Sequence, residues 1–192
     1  MDPTERRELI LTAASRAFAS RPYEEVSLAA IADEAHASEA LVHKYFVSKA
    51  GIYAQVLQRA TDELAERTRQ TDDALPPDSS ARDRVRASIL TYLDFIAERS
   101  PGRMAYQILA GHEPGEAAQV RQAAREAAVA ALSDVVGGGR GHRDDFAFWG
   151  YLGFLDDACL RWVRAGCPAE QRHSLVDAAL GCLEGALGDW RA

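Results

Sequence analysis

Apolar positions recur every three or four residues along most of this chain, and no stretch alternates in the two-residue period of a half-buried strand. The pattern predicts an all-α protein. Leu9, Ile10, Ala13, Ala14, Ala17 and Phe18 mark a first helix from about Thr4, its candidate cap, to Ser20. Arg21-Pro22-Tyr23 breaks it. Leu28, Ile31 and Ala32 then form a short stripe, and Leu41, Val42 and Phe46 form another. Between them stand Ala35-His36-Ala37, low in bulk, and Ser38, a residue suited to capping the second helix. Two helices joined by so short a turn must cross steeply, which leaves the second exposed along one side. That is the geometry of a helix-turn-helix that enters a DNA major groove.

A longer helix is expected from Ser48, its cap, toward Thr68, with Ile52, Val56 and Leu57 facing inward. Thr71 to Ser80 (TDDALPPDSS) reads as a linker. Further helices are expected near Ala81–Arg99, Pro101–Gly111 and Glu116–Val136. A glycine loop, Gly137 to Gly141, precedes two last helices, near Asp144–Ala165 and Ala169–Trp190. The total is about nine helices. The expected division is a helix-turn-helix domain over residues 1–50 and a helical domain over 51–192.

Composition narrows the class. At 192 residues the chain can bury a real core in one or two small domains. Hydrophobic residues make up 47% and charged residues 27%, proportions of a soluble globular protein rather than a disordered or membrane-embedded one. The opening MDPTERRELI lacks the apolar core of a signal peptide, and no apolar run is long enough to span a membrane, so a cytoplasmic protein is expected. Cys159, Cys167 and Cys182 are odd in number and lack CxxC pairing, which argues against a disulfide framework or a zinc knuckle. The formal net charge of −7 argues against a protein that coats nucleic acid non-specifically. It leaves room for a site-specific binder with a local basic patch. Of the 22 basic residues, the lysines are Lys44 and Lys49, both beside the second short helix.

The order of parts around these lysines is a helix, Ser27-Leu-(x)2-Ile-Ala, Ala35-(x)2-Ser38, Tyr45-Phe46-(x)2-Lys49, then a long helix. Over residues 9 to 57 this resembles the N-terminal DNA-binding domain of the TetR family of bacterial transcriptional regulators. The resemblance implies that Ser27 opens the second helix at a phosphate and that Ser38 starts the recognition helix. It further implies that Phe46 packs in the core while Tyr45 and Lys49 reach phosphates. The chain departs from the family pattern at four places. Ala40 stands where Gly is usual, His43 where Tyr is usual and His36 where the turn has Gly, and Pro22-Tyr23 replaces the Gly after the first helix. Independently of any family, His43, Lys44, Tyr45 and Lys49 gather imidazole, ammonium and hydroxyl donors at the far end of an exposed helix. The helix N-terminus at Ser38 favours anions. Glu39 either repels phosphate, accepts from a cytosine N4 in the groove, or is simply a favourable charge at a helix start. His36, Glu39 and His43 share a spacing a metal could use, but His36 falls in the turn and a further ligand is missing, so no metal site is expected.

The C-terminal part offers no catalytic arrangement and no cofactor motif. Asp156 and Asp157 are adjacent and point to different sides of a helix. Asp156 lies on an apolar stripe and needs a partner, either an arginine or a pocket. Aromatic residues are frequent from Ala81 to Ala165, and a bundle of this kind can hold an apolar cavity. Tyr92, Phe95, Tyr106, Trp149, Phe154 and Asp156 are the candidate pocket residues, for an apolar or aromatic effector. Glycines inside the last two helices each cost about 1 kcal/mol of helix stability, so close helix approach is expected there. Gly150, Gly153, Val176, Leu180, Leu183 and Leu187 are the candidate dimer interface, a four-helix bundle of two pairs. The TetR resemblance implies the same. The resulting expectation is a homodimeric repressor, not an enzyme, bound to palindromic double-stranded operator DNA and released by a small molecule, with no membrane partner. Its rivals are a small-molecule binding protein of the same fold that has lost DNA binding, and an all-α enzyme.

Overall fold

The computed structural model describes residues 2–99, 114–137 and 141–188. Among them are eight α-helices, one 3-10 turn and no strand. The protein is thus all-α, with an N-terminal helix-turn-helix and a C-terminal helical part. The expected helix over Pro101–Gly111, and Trp190 of the last one, lie outside the described residues.

Helix α1 spans Pro3–Ser20. It starts ahead of the expected Thr4 cap because Asp2 closes its end, with Pro3 at the first helical position and Glu5 accepting from the Asp2 N–H at 3.2 Å. A 3-10 turn, Tyr23–Glu25, leads to α2, Leu28–Glu34, and then α3, Glu39–Tyr45. Helix α4 runs over Lys49–Asp73, past its expected end near Thr68. Ser48 Oγ accepts from Gly51 N–H at 2.9 Å and closes its start, as the sequence predicts. Next come α5, Ala81–Glu98, and α6, Gly115–Val136. The last two are α7, His142–Arg164, and α8, Ala169–Leu187.

The chain forms two compact units. The first runs to Thr61 and takes in α6 as far as Gln122; the second begins at Asp62 and resumes at Ala123. The N-terminal unit therefore reaches beyond residue 50. The reason is apolar burial, since Ile52, Tyr53, Val56 and Leu57 of α4 and Ala117 of α6 belong to the same core as Ile10, Phe18, Ile31, Val42 and Phe46. Within it α1 packs on α2 and α2 on α3. Tyr53 sets its ring 4.9 Å from both Phe18 and Tyr23, anchoring the turn after α1 to α4.

In the C-terminal unit α5, α7 and α8 pack on one another. Phe148, Tyr151, Leu155, Cys159 and Trp162 make the inner stripe of α7, and Val176, Leu180 and Leu183 that of α8. Arg82 reaches Glu184 at 2.7 Å and Arg172 reaches Asp94 at 2.5 Å, lacing α5 to α8. No described helix is long and apolar enough to cross a membrane.

Candidate nucleic-acid interface and effector region

The start of α2 is fixed by Ser27, whose Oγ accepts from Ala30 N–H at 3.0 Å. Ser38 does the same for α3, accepting from Leu41 N–H at 3.2 Å. Between them the chain turns on His36. The His36 N–H bonds to Asp33 O at 3.1 Å and the Ala37 N–H to Ala32 O at 2.9 Å. These two bonds make a Schellman motif, which requires a left-handed residue at its apex, and His36 supplies it with φ +49°. An L-side chain in that region is sterically costly, which is why glycine is the usual choice.

With both ends fixed, α3 has a clear inside and outside. Val42 is wholly buried and Phe46, just past the helix, nearly so. Glu39, Ala40, His43 and Lys44 are exposed, and Tyr45 is half-buried against the core with Tyr23 and Leu28. His43 and Lys44 occupy the last turn, so the lysine charge lies at the C-terminal end of α3 and Glu39 at its start. Each charge has the sign that the helix dipole favours. Ser27 and Ser38 are exposed as well. The sequence-based candidates Ser27, Ser38, Glu39, Ala40, His43, Lys44 and Tyr45 are therefore brought onto the outer surface of the helix-turn-helix.

Lys49 is placed differently. Its ammonium does not extend to solvent beside Lys44. It donates to Tyr23 O at 2.8 Å and Val26 O at 2.9 Å, stands 3.4 Å from Glu24 O, and lies 4.2 Å above the Tyr23 ring. The Lys49 donors are taken up by the carbonyls of Tyr23, Glu24 and Val26, in and just after the 3-10 turn.

In the C-terminal unit Asp156 finds an arginine. Arg125 of α6 pairs with one carboxylate oxygen, and Tyr92 OH of α5 donates to the other at 3.2 Å. The Arg125 guanidinium lies 5.8 Å from the Trp149 ring. Tyr92, Trp149 and Asp156 are thus gathered by a residue that sequence reasoning missed; only the need of Asp156 for a cation pointed toward it. Burial, with Asp156 nearby, holds the Tyr92 phenol well above its ordinary pKa, so it remains a donor. Beside this cluster α6 and α7 border a cleft of about 340 Å³, lined by Val129, Ala130, Phe148 and Trp149 with Glu126, Ser133 and Asp145. Its size is at the lower end for small-molecule sites.

The other pocket candidates do not line that cleft. Phe95 is buried beneath two guanidiniums, Arg99 at 3.5 Å and Arg67 at 5.5 Å from its ring centre, so it packs as structure. Phe154 lies on the outer side of α7, and Tyr106 is outside the described residues. The dimer candidates also divide. Val176, Leu180 and Leu183 are at most 1% exposed and pack inside their own unit. Gly150 is exposed, Gly153 and Leu187 are half-buried, and a Cβ on either glycine would meet nothing within 4 Å. The helix approach expected at these glycines is therefore not made within the described part of the subunit.

Residues 10–56 match the model of the bacterial regulatory proteins of the tetR family. Across 171 residues the chain is 33% identical to the HTH-type transcriptional activator FasR of Mycolicibacterium smegmatis, over 87% of this chain and 76% of that protein. The fold is similar to a tetR-family transcriptional regulator from Streptomyces coelicolor, with a TM-score of 0.78 and 23% identity over 98% of this chain and 91% of that one. It is also similar to the transcriptional regulator FadR of Bacillus subtilis, solved with stearoyl-CoA. There the TM-score is 0.71 and the identity 17%, over 94% of this chain and 97% of that one.

Proposed function

The chain belongs to the tetR family of bacterial regulatory proteins and is a transcriptional regulator; from that premise we propose a homodimer that sets two α3 helices into successive major grooves of a palindromic operator, about 34–36 Å apart. The observation that carries this reading is α3 itself. It is held by Val42 and capped by Ser38, with Glu39, Ala40, His43 and Lys44 turned outward. Ala40 is the residue whose small side chain permits close approach to base edges, and Lys44, Tyr45 and Ser27 meet the backbone.

The second copy docks along the outer face of α7 and α8, where a Cβ on Gly150, Gly153, Gly181 or Gly185 would meet nothing within 4 Å among the described residues. Phe146 and Phe154 are exposed on α7. Small residues flanked by aromatics allow two helix pairs to approach closely as a four-helix bundle. The effector is an apolar or aromatic small molecule, bound where Phe148 and Trp149 border the cleft. Acyl-CoA is the first class to try, since the Bacillus subtilis FadR carries stearoyl-CoA in its solved structure. An effector that binds one dimer arrangement better than another shifts operator affinity by that difference. The sign on transcription is read as repression relieved by effector. Activation is the second reading, favoured by the name of the Mycolicibacterium smegmatis relative.

The test is fluorescence anisotropy with DNA from upstream of the protein's own gene across a range of salt. Lys44→Ala is expected to lower affinity and to reduce the salt slope by about 1, the loss of one phosphate contact. If the wild-type chain binds no upstream fragment yet still binds acyl-CoA, the DNA reading fails and the ligand-binding alternative replaces it. Transcription in vitro from the bound promoter, with and without protein, separates repression from activation.

A further inference from the structure

A lysine in the first turn of a helix opposes the helix dipole, and the first turn of α4 carries Lys49 and no acid of its own. Such a cation needs a negative partner. The resemblance to the family supplies a phosphate in that role, but the structure supplies another partner. The 3-10 turn Tyr23–Glu25 aims its carbonyls inward at its C-terminal end, and the Lys49 ammonium sits among them. It lies 2.8 Å from Tyr23 O, 2.9 Å from Val26 O and 3.4 Å from Glu24 O. The ring of Tyr23, itself packed on Tyr53 at 4.9 Å, closes the fourth side at 4.2 Å. A lysine has three N–H donors, and three carbonyls with one aromatic face use them fully.

The position of this socket gives it consequence. Val26, wholly buried, is directly followed by Ser27, which caps α2. The start of α2 is thereby tied to the start of α4 through one ammonium. We propose that Lys49 is a positioning residue for DNA binding, an internal clamp that fixes the entry to α2 and the hydroxyl of Ser27, and not a phosphate contact. This rests on the operator-binding function proposed above.

Two substitutions in the full-length chain separate the alternatives. A phosphate contact accepts arginine in place of lysine, whereas a compact three-carbonyl socket does not fit a planar guanidinium. Lys49→Arg and Lys49→Met are both expected to weaken operator binding about tenfold, with a salt slope equal to wild type. Amide hydrogen exchange of Val26, Ala30 and Ile31, measured without DNA, is expected to quicken in both. The clamp is overturned if Lys49→Arg keeps wild-type affinity while Lys49→Met loses about 1 in salt slope, the mark of one phosphate. It is overturned equally if exchange at these amides is unchanged. Should Lys49→Met fail to fold, Lys49→Arg alone decides between the two. A wild-type chain that binds no DNA removes the operator reading, and the exchange measurement still decides the clamp.

Discussion

In the N-terminal unit α3 holds Val42 inside and shows solvent Glu39, Ala40, His43 and Lys44; in the C-terminal unit α7 holds Phe148, Tyr151 and Leu155 inside and shows solvent Phe146, Gly150 and Phe154. Both helices have a sound inner stripe, so the difference is one of outer chemistry. An exposed lysine at the far end of α3 and an exposed capping hydroxyl at its start suit a hydrated, anionic partner such as a DNA backbone. Phe146, 74% exposed near bare glycine backbone, suits a partner that removes apolar surface from water. The interiors differ too. The N-terminal unit sets its Lys49 ammonium against backbone carbonyls, whereas the C-terminal unit places the Asp156 carboxylate between the side chains of Arg125 and Tyr92. A carboxylate held that way costs stability unless both partners remain, which makes the second unit the more sensitive to charge changes.

The sharpest way to break the comparison is a charge on the α7 face. A Cβ at position 150 meets nothing within 4 Å among the described residues, and replacing a mid-helix glycine gains about 0.5–1 kcal/mol of helix stability. Gly150→Glu is therefore expected to leave the subunit at least as resistant to heat. In the proposed dimer it would bury a charge without a partner twice, at about 3–5 kcal/mol or more. Since each 1.4 kcal/mol is tenfold, the dissociation constant should rise at least about a hundredfold. Sedimentation across a dilution series reads this. A variant that stays dimeric at wild-type concentrations would mean that α7 faces no partner there.

A smaller effect sharpens the contrast between interiors. Removing Arg125 takes the guanidinium away from Asp156 and leaves the Tyr92 hydroxyl bond in place. Both members of the pair keep more than a fifth of their side-chain surface in water, so the full penalty for a stranded buried charge does not apply. Arg125→Ala is expected to cost about 1–2 kcal/mol by chemical denaturation. Arg125→Ala with Asp156→Leu should recover part of that loss. If the double variant is the weaker one by the simple sum, the two residues do not act as a pair.

Much of the N-terminal unit was legible in the sequence because its rules are local. Ser38 and Ser48 cap helices where a hydroxyl precedes an apolar-periodic run, and both bonds are present; Ser27, which the family resemblance placed at the start of α2, caps it too. The direction of the Lys49 ammonium was not legible, since its carbonyl partners lie more than twenty residues away, in a turn of irregular backbone. In the C-terminal unit periodicity found the helices but not which face meets what. Helix α8 has an inner stripe of Val176, Leu180 and Leu183 and an outer one containing Gly181 and Gly185. Hydrophobicity favoured the large residues as an interface, and packing within the unit had already taken them. Phe95 misled for a related reason: an aromatic residue lines a pocket or fills a core according to neighbours such as Arg67 and Arg99, which no local pattern names.

The smallest expected effect concerns a pair of turns. After α7 the Gly166 N–H bonds to Val163 O at 2.9 Å and the Cys167 N–H to Trp162 O at 3.0 Å, the same Schellman pattern as after α2. There glycine takes the left-handed apex with φ +87°, as that conformation favours. The helix-turn-helix puts His36 at the equivalent place and bears the strain. His36→Gly relieves a Cβ clash but gives the unfolded chain more freedom, so a net gain of only about 0.5–1 kcal/mol is expected. That would raise the melting temperature by about 1–4 °C, read by calorimetry. The imidazole at position 36 is exposed near the start of α3, where a phosphate would stand in the proposed complex. If His36 is retained only as a tolerated turn residue, the glycine variant gains stability and keeps operator affinity. If it gains stability and loses affinity by severalfold, the strained histidine is held in place for a contact with DNA.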